Sequence, residues 1–298
     1  TYSTNVFLGS TTAIPLKQRD LFSFFGQIDH PLSAKTNFII GLRQDVIAQQ
    51  NNLDNYGQVS PQFQILHKLS RDQSLYLNVG KSFRAPNWTA MFSSSTITVP
   101  NPSLEPDTGW TYEIGWKKIR ESDSLKVAVY QLDFSNLHQW VNLGTSAVKN
   151  YQSQNAQFRN LGMEVEYARS LKGGWGFSLG AMYGNPEAKT QNASEWEQSE
   201  ANLQLNAGLN YRKGKWSGSL VATYVGMRQL LSPIAPSTVS SGAIPPSLQA
   251  NLMLNYDVTK NTQLTLRVEN LFNRIDYTND GGYITPERAF YLKLTQNF

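Results

Sequence analysis

Residues 203 to 224 read Leu-Gln-Leu-Asn-Ala-Gly-Leu-Asn-Tyr, then Arg-Lys-Gly-Lys, then Trp-Ser-Gly-Ser-Leu-Val-Ala-Thr-Tyr. Successive side chains of an extended chain point to opposite faces. Leu203, Leu205, Ala207, Leu209 and Tyr211 therefore share one face, and Gln204, Asn206, Gly208 and Asn210 share the other. Lys213 to Lys215 supply a tight turn, after which Trp216 and Tyr224 bracket Gly218, Leu220 and Ala222 on the matching face. This is a hairpin with a greasy side and an amide-rich side. The split recurs in Leu248 to Tyr256 and in Trp110 to Trp116, and Trp175 and Tyr183 bracket Phe177, Leu179 and Ala181. No stretch of comparable length keeps helical spacing, so the chain reads as all-β.

Outward from this hairpin the connections alternate in length. Short turn-forming links fall at Pro31 to Thr36, Ser70 to Gln73, Arg120 to Asp123, Leu171 to Gly174, Lys213 to Lys215 and Thr259 to Asn261. Long polar links fall at about 48 to 58, 85 to 108, 136 to 157, 185 to 199, 227 to 247 and 272 to 287. Tight turns on one side and extended loops on the other are the asymmetry of an antiparallel up-and-down transmembrane β-barrel. About 14 strands of roughly ten residues are expected, the length a tilted strand needs to cross a bilayer. Aromatic rings about eight residues apart around an aliphatic middle fit two interfacial girdles.

Composition agrees. Charged residues make up 16% of the 298, and the remaining polarity is neutral, with 25 Asn and 21 Gln. Mean hydropathy is −0.40 and no run of about 18 apolar residues occurs, which excludes a bundle of membrane helices. The net charge of +4 is scattered and gives nucleic-acid binding no support. Zero cysteines exclude disulfide scaffolds and thiol chemistry. The chain opens Thr-Tyr-Ser with neither an initiator Met nor an apolar signal, so a mature product or a fragment is expected.

Catalysis finds little foothold. His30, His67 and His138 lie far apart with no carboxylate or second His at metal-ligand spacing, and no nucleophile motif or phosphate-cradling loop occurs. Glu164 and Glu166 share a strand face, where pairing with Arg or Lys of an adjacent strand is expected rather than acid/base work. Neither an enzymatic activity nor a cofactor is predicted.

The most specific region is 79 to 116. Val79-Gly-Lys-Ser-Phe-Arg-Ala-Pro86 ends a strand, and Asn101-Pro-Ser-Leu-Glu-Pro106 returns from the following loop to Tyr112-Glu-Ile-Gly115. Near the end stand Val268-Glu-Asn-Leu-Phe-Asn273, Tyr277 and Arg288-Ala-Phe-Tyr291, while Gly41-Leu-Arg43 and Val59-Ser-Pro61 fit earlier. In order and spacing these resemble the barrel motifs of TonB-dependent outer-membrane receptors. The final strand, with Phe290, Leu292, Leu294 and a terminal Phe298, resembles the signal read by the outer-membrane barrel assembly machinery.

The resemblance implies a barrel of 22 strands around a plug, an address in the Gram-negative outer membrane, and uptake of a scarce nutrient driven by the TonB complex through that plug. Residues 1 to 298 then all belong to the C-terminal portion of the barrel domain, with no plug among them. A ferric siderophore is the leading ligand. Haem ranks lower, because the histidine that haem receptors carry between the two boxes is missing from residues 87 to 100. The competing readings are a self-sufficient 14-stranded channel and a soluble β-rich carbohydrate-binding protein using Trp88, Trp140 and Trp196.

An anionic, aromatic-bearing iron chelate calls for cationic forks and flat rings in the long loops. Candidates are Arg84, Trp88, Tyr151 and Arg159, followed by Trp196, Arg228, Arg274 and Tyr283. Trp88 and Arg228, each just past a strand end, form the preferred pair. Arg84 is read first as a brace for its loop, bonding neighbouring carbonyls or Glu105.

Overall fold

The computed structural model describes residues 19–49, 55–92, 94–144, 150–191, 193–229, 243–277 and 284–297. Thirteen long strands make one antiparallel sheet in strict sequence order. They are β1 Arg19–Pro31, β2 Thr36–Gln49, β3 Tyr56–Lys68, β4 Gln73–Arg84, β5 Asp107–Ile119, β6 Asp123–Asn142 and β7 Tyr151–Ser170. The remaining six are β8 Trp175–Gly184, β9 Leu203–Lys213, β10 Trp216–Val225, β11 Ser247–Asp257, β12 Thr262–Glu269 and β13 Ala289–Gln296. Each pairs with its neighbours in the chain, as an up-and-down meander requires. Among the described residues β1 pairs only with β2 and β13 only with β12, so the sheet is open at both edges. Residues 1 to 18 and Phe298 lie outside the described residues.

The register carries the alternation across the whole wall. Trp175 lies opposite Tyr211, and Trp216 opposite Tyr256, each pair with ring centroids 4.6 Å apart at the short-turn end. Leu179, Ala207, Ala222 and Ala250 follow on the same face, and Tyr183 and Tyr224 close it at the other end. Leu292 is 74% exposed and Leu294 66%, an apolar surface that is stable only against hydrocarbon. The opposite face carries Gln62, Asn78, Glu113, Asn206, Asn251 and Asn255. Its polar groups bond one another, with Thr223 donating to Asn206 at 3.0 Å and Thr265 to Asn255 at 2.7 Å. Glu164 accepts from Lys126 of the next strand at 3.1 Å, the pairing the sequence calls for. Tyr76 donates to Glu113, and its ring occupies the space beside Gly115 where a β-carbon would collide with it.

All six short turns appear where composition puts them. Gly214, at φ 60°, adopts the left-handed backbone needed between Lys213 and its partner Trp216. One expectation is corrected: residues 136 to 157 are mostly strand, since β6 and β7 are 20 residues each and leave only 143–150 as their link. A bulge between Phe134 and Leu137 absorbs the break in alternation, and pairing resumes from Leu137 with Ala156 up to Asn142 with Tyr151. An Asn/Gln-rich segment reads as a loop in isolation. Here a folded loop covers it, and Tyr151, Ser153, Gln154, Asn155 and Ala156 are buried.

Candidate functional site

The covering loop is 85–106, between β4 and β5. Its prolines keep any ladder short, and after the buried Pro86 it turns into a short helix, α1, Trp88–Phe92. Asn87 caps the helix by accepting the Thr89 amide at 2.8 Å. Ala90, Met91 and Leu104 form a small apolar core with Phe92 against it. On one side Arg19 of β1 donates to the Pro86 carbonyl at 2.7 Å and lays its guanidinium 4.4 Å from the centre of the Trp88 ring. On the other, Thr98–Val99 pairs in parallel with Tyr151–Gln152 at the start of β7, and Asn101 donates to the Ser153 carbonyl at 2.9 Å. Asn155 grips the main chain of Glu105 through both its amide and its carbonyl, each at 2.9 Å. The loop thus reaches β1 and β7, six strands apart, and so crosses the polar face of the sheet at its long-link end, hereafter the mouth.

Its hinge is Asp107. The carboxylate is 5% exposed and takes Arg84 Nε at 2.5 Å, the His138 amide at 2.7 Å and His138 Nδ1 at 3.0 Å. His138 Nε2 lies 2.5 Å from the Glu105 carbonyl oxygen. Arg84 is a brace, but on Asp107 rather than Glu105. The Glu105 carboxylate instead accepts from Asn136 at 3.0 Å.

A second bracket holds the link 270–288. Asn270 and Asn273 have φ of 49° and 51°, the left-handed region in which Asn is the best tolerated non-glycine residue. That is the physical content of Asn-Leu-Phe-Asn. Asn270 donates to the carbonyls of Arg274 at 2.7 Å and Pro286 at 2.8 Å, and its own amide reaches Asn251 at 3.0 Å. Asp276 accepts from Arg274 at 3.1 Å and from the Leu248 amide and the Gln249 side chain at 3.0 Å. Burial pushes Asp276 up, but these three donors outweigh it and hold the carboxyl below its ordinary 3.8. With the folded value below the unfolded one, its contribution is complete above that ordinary value and is lost as pH falls through the folded value. Asp276→Asn should therefore cost about 1–2 kcal/mol at neutral pH, with a difference from wild type that shrinks as pH falls below 3.8. Urea midpoints at pH 7 and pH 3 check this. A penalty of equal size at both would show that the charge is immaterial.

The seven sequence candidates among the described residues do not form one ring. Trp88 stands at the mouth, half-buried beneath Arg19. Tyr151 is 7% exposed under the loop, and Arg228, 3% exposed, donates to the Tyr277 carbonyl at 3.2 Å. Arg274 is tied to Asp276. Arg159 and Trp196 stack at 4.2 Å on the apolar side of the wall, away from the polar face. Tyr283 lies outside the described residues. Trp88 and Arg228 belong to the two separate brackets. Arg19, Asp107 and His138 were missed, for their roles come from partners 23 to 72 residues away and leave no local pattern. Among the described residues no group of three or more His, Asp or Glu is placed to hold a metal ion.

A tall antiparallel wall, apolar outside, amide-lined inside and roofed by an inturned loop, defines an outer-membrane β-barrel. The family described as TonB dependent receptor-like, beta-barrel matches residues 2–271, and the chain belongs to it. Members of this family are receptors and transporters of the Gram-negative outer membrane, not enzymes. The chain is 23% identical over 225 residues to the vitamin B12 transporter BtuB of Vibrio cholerae serotype O1, covering 74% of this chain and 34% of that protein. It is 26% identical over 237 residues to the ferric-pyoverdine BN7/BN8 receptor of Pseudomonas putida, covering 78% and 27%. Its fold superposes on the copper transporter OprC with a TM-score of 0.76 at 18% identity, over 95% of this chain and 48% of that one. The chain thus spans about a third of the length of the curated relatives it matches.

Proposed function

We propose that this chain forms the wall and part of the mouth of a TonB-dependent transporter whose cargo is a ferric siderophore. The observation that carries the reading is loop 85–106, which folds inward over the polar face and presents Trp88 beneath the Arg19 guanidinium. A ring paired with a cation offers an anionic aromatic chelate both a stacking face and a charge. The ferric-pyoverdine receptor among the relatives is in keeping with such a cargo. In this reading residues 1 to 298 all belong to the barrel, and coupling to the TonB complex runs through a plug that they do not include. Among the described residues no further strand pairs with the outer edges of β1 and β13, which is in keeping with additional strands, because open backbone groups in hydrocarbon cost several kcal/mol each.

In the full-length receptor, Trp88→Ala should weaken ferric-chelate binding about tenfold, and Arg19→Lys should weaken it less. Titration with ferric catecholates, ferric hydroxamates, haem, cobalamin and copper checks both. Tight binding of cobalamin or copper with no ferric chelate bound would sink the siderophore assignment and leave the barrel standing.

A further inference from the structure

The outward face holds a cleft that nutrient uptake does not use. One hydrogen-bonded row runs Lys81, Trp110, Asp133, Arg159 and Glu187 across β4, β5, β6, β7 and the short strand Glu187–Lys189. It lies one step beyond the row of Val79, Tyr112, Gln131 and Leu161, where the apolar band ends on these strands. Trp196 folds down from the β8–β9 link onto Arg159. Lys81, Trp110, Asp133, Arg159 and Trp196 wall a cleft of about 440 Å³, which shares Ser135 and Gln157 with an adjoining hollow of about 280 Å³ edged by Lys189.

This lining suits a phosphorylated sugar. Trp110 and Trp196 offer rings for the C–H faces of a saccharide, while Asp133 and Gln157 are planar partners for its hydroxyls. Arg159 is engaged by Glu187 at 2.7 Å, and Asp133 accepts from Gln131 at 2.6 Å. The side-chain ammonium groups of Lys81 and Lys189, by contrast, make no hydrogen bond or ion pair with the described residues, which leaves one on each hollow for an anion. Three cations face two carboxylates here. Directly below, Leu161, 61% exposed, and Tyr112, 40% exposed, continue into the lipid-facing wall, so a headgroup in the cleft has its acyl chains already placed.

We propose that this cleft binds the phosphorylated saccharide headgroup of an outer-leaflet glycolipid, with phosphates on Lys81 and Lys189 and sugar between Trp110 and Trp196. A free sugar phosphate shares the headgroup chemistry but makes no use of the apolar wall. The acyl chains therefore decide for the lipid.

The test uses the full-length receptor in detergent, titrated with a bis-phosphorylated diglucosamine glycolipid, its dephosphorylated form, phosphatidylglycerol and water-soluble glucosamine phosphate, and read by native mass spectrometry. The phosphorylated glycolipid should bind one to one and outcompete the other three. K81Q combined with K189Q should weaken it about 30-fold, the effect of losing two basic residues worth about 1 kcal/mol each beside an anionic headgroup. W196L alone should weaken it as well, and K213Q at the short-turn end should not. The proposal is overturned if phosphatidylglycerol or the dephosphorylated lipid binds as tightly, if soluble glucosamine phosphate competes equally, or if both the double variant and W196L retain full affinity.

Discussion

Leu179→Arg should destabilise the protein in a bilayer by about 2–4 kcal/mol, the cost of a cation at mid-depth on the lipid face of a barrel. Leu179 is 53% exposed and lies midway between Trp175 and Tyr183 on one face of β8. Its cross-strand neighbours Tyr167 and Ala207 share that face, so an arginine there has only hydrocarbon around it. Asn206→Arg is the matched control. Asn206 lies one residue away in register, opposite Gly180, and projects to the polar face, where water solvates the new charge. Its cost should stay below about 1 kcal/mol, the usual range for a surface change away from special features. Urea unfolding of the full-length protein from liposomes reads both values. Equal penalties, or a larger one at Asn206, would mean the faces are reversed.

Asp107→Ala should free the hinge of the mouth loop. The substitution removes the acceptor for the His138 amide and leaves Arg84 and the His138 ring without their carboxylate. Arg84 is 68% exposed and water takes over much of its role, so the loss falls mainly on the His138 amide and ring. About 2–3 kcal/mol is expected, enough to raise the open population of loop 85–106 by roughly 30- to 150-fold. Limited proteolysis should then cut within 85–106 while sparing the strands, and Asp107→Asn, which keeps one acceptor oxygen, should fall between wild type and Ala. Unchanged cutting in the alanine variant would show that Arg19 and Asn155 hold the loop without the hinge.

The reach of sequence reasoning is visible in particular residues. Alternation at Leu203 to Tyr211 assigned both faces of β9, and because cross-strand partners share a face, the same assignment passes along the register to Tyr256 and Leu292. Side-chain direction in a strand depends only on parity, a local property of the backbone, so it was legible without knowing any neighbour. The short turns were legible for the same reason, since Gly214 answers to its own φ. The motif Asn270 to Asn273 announced itself by type, and its left-handed backbone explains why asparagine stands there.

What failed was anything decided by a distant partner. Composition made 136 to 157 a loop, but Asn101, Pro100 and Glu105 cover that segment and keep it paired as strand. Arg159 and Trp196 were grouped with mouth residues, yet parity within β7 sends Arg159 outward and takes Trp196 with it. Arg84 met Asp107 rather than Glu105 because β4 and β5 pair in a register that sets Arg84 directly opposite Asp107. By itself the sequence determined the class of fold, the two faces of the wall and the family, all of which follow from period-two backbone geometry and short motifs. The tertiary structure alone decided where loop 85–106 folds, which cations are already engaged and which side of the wall each loop residue occupies, because those depend on contacts between strands up to six places apart in the sheet.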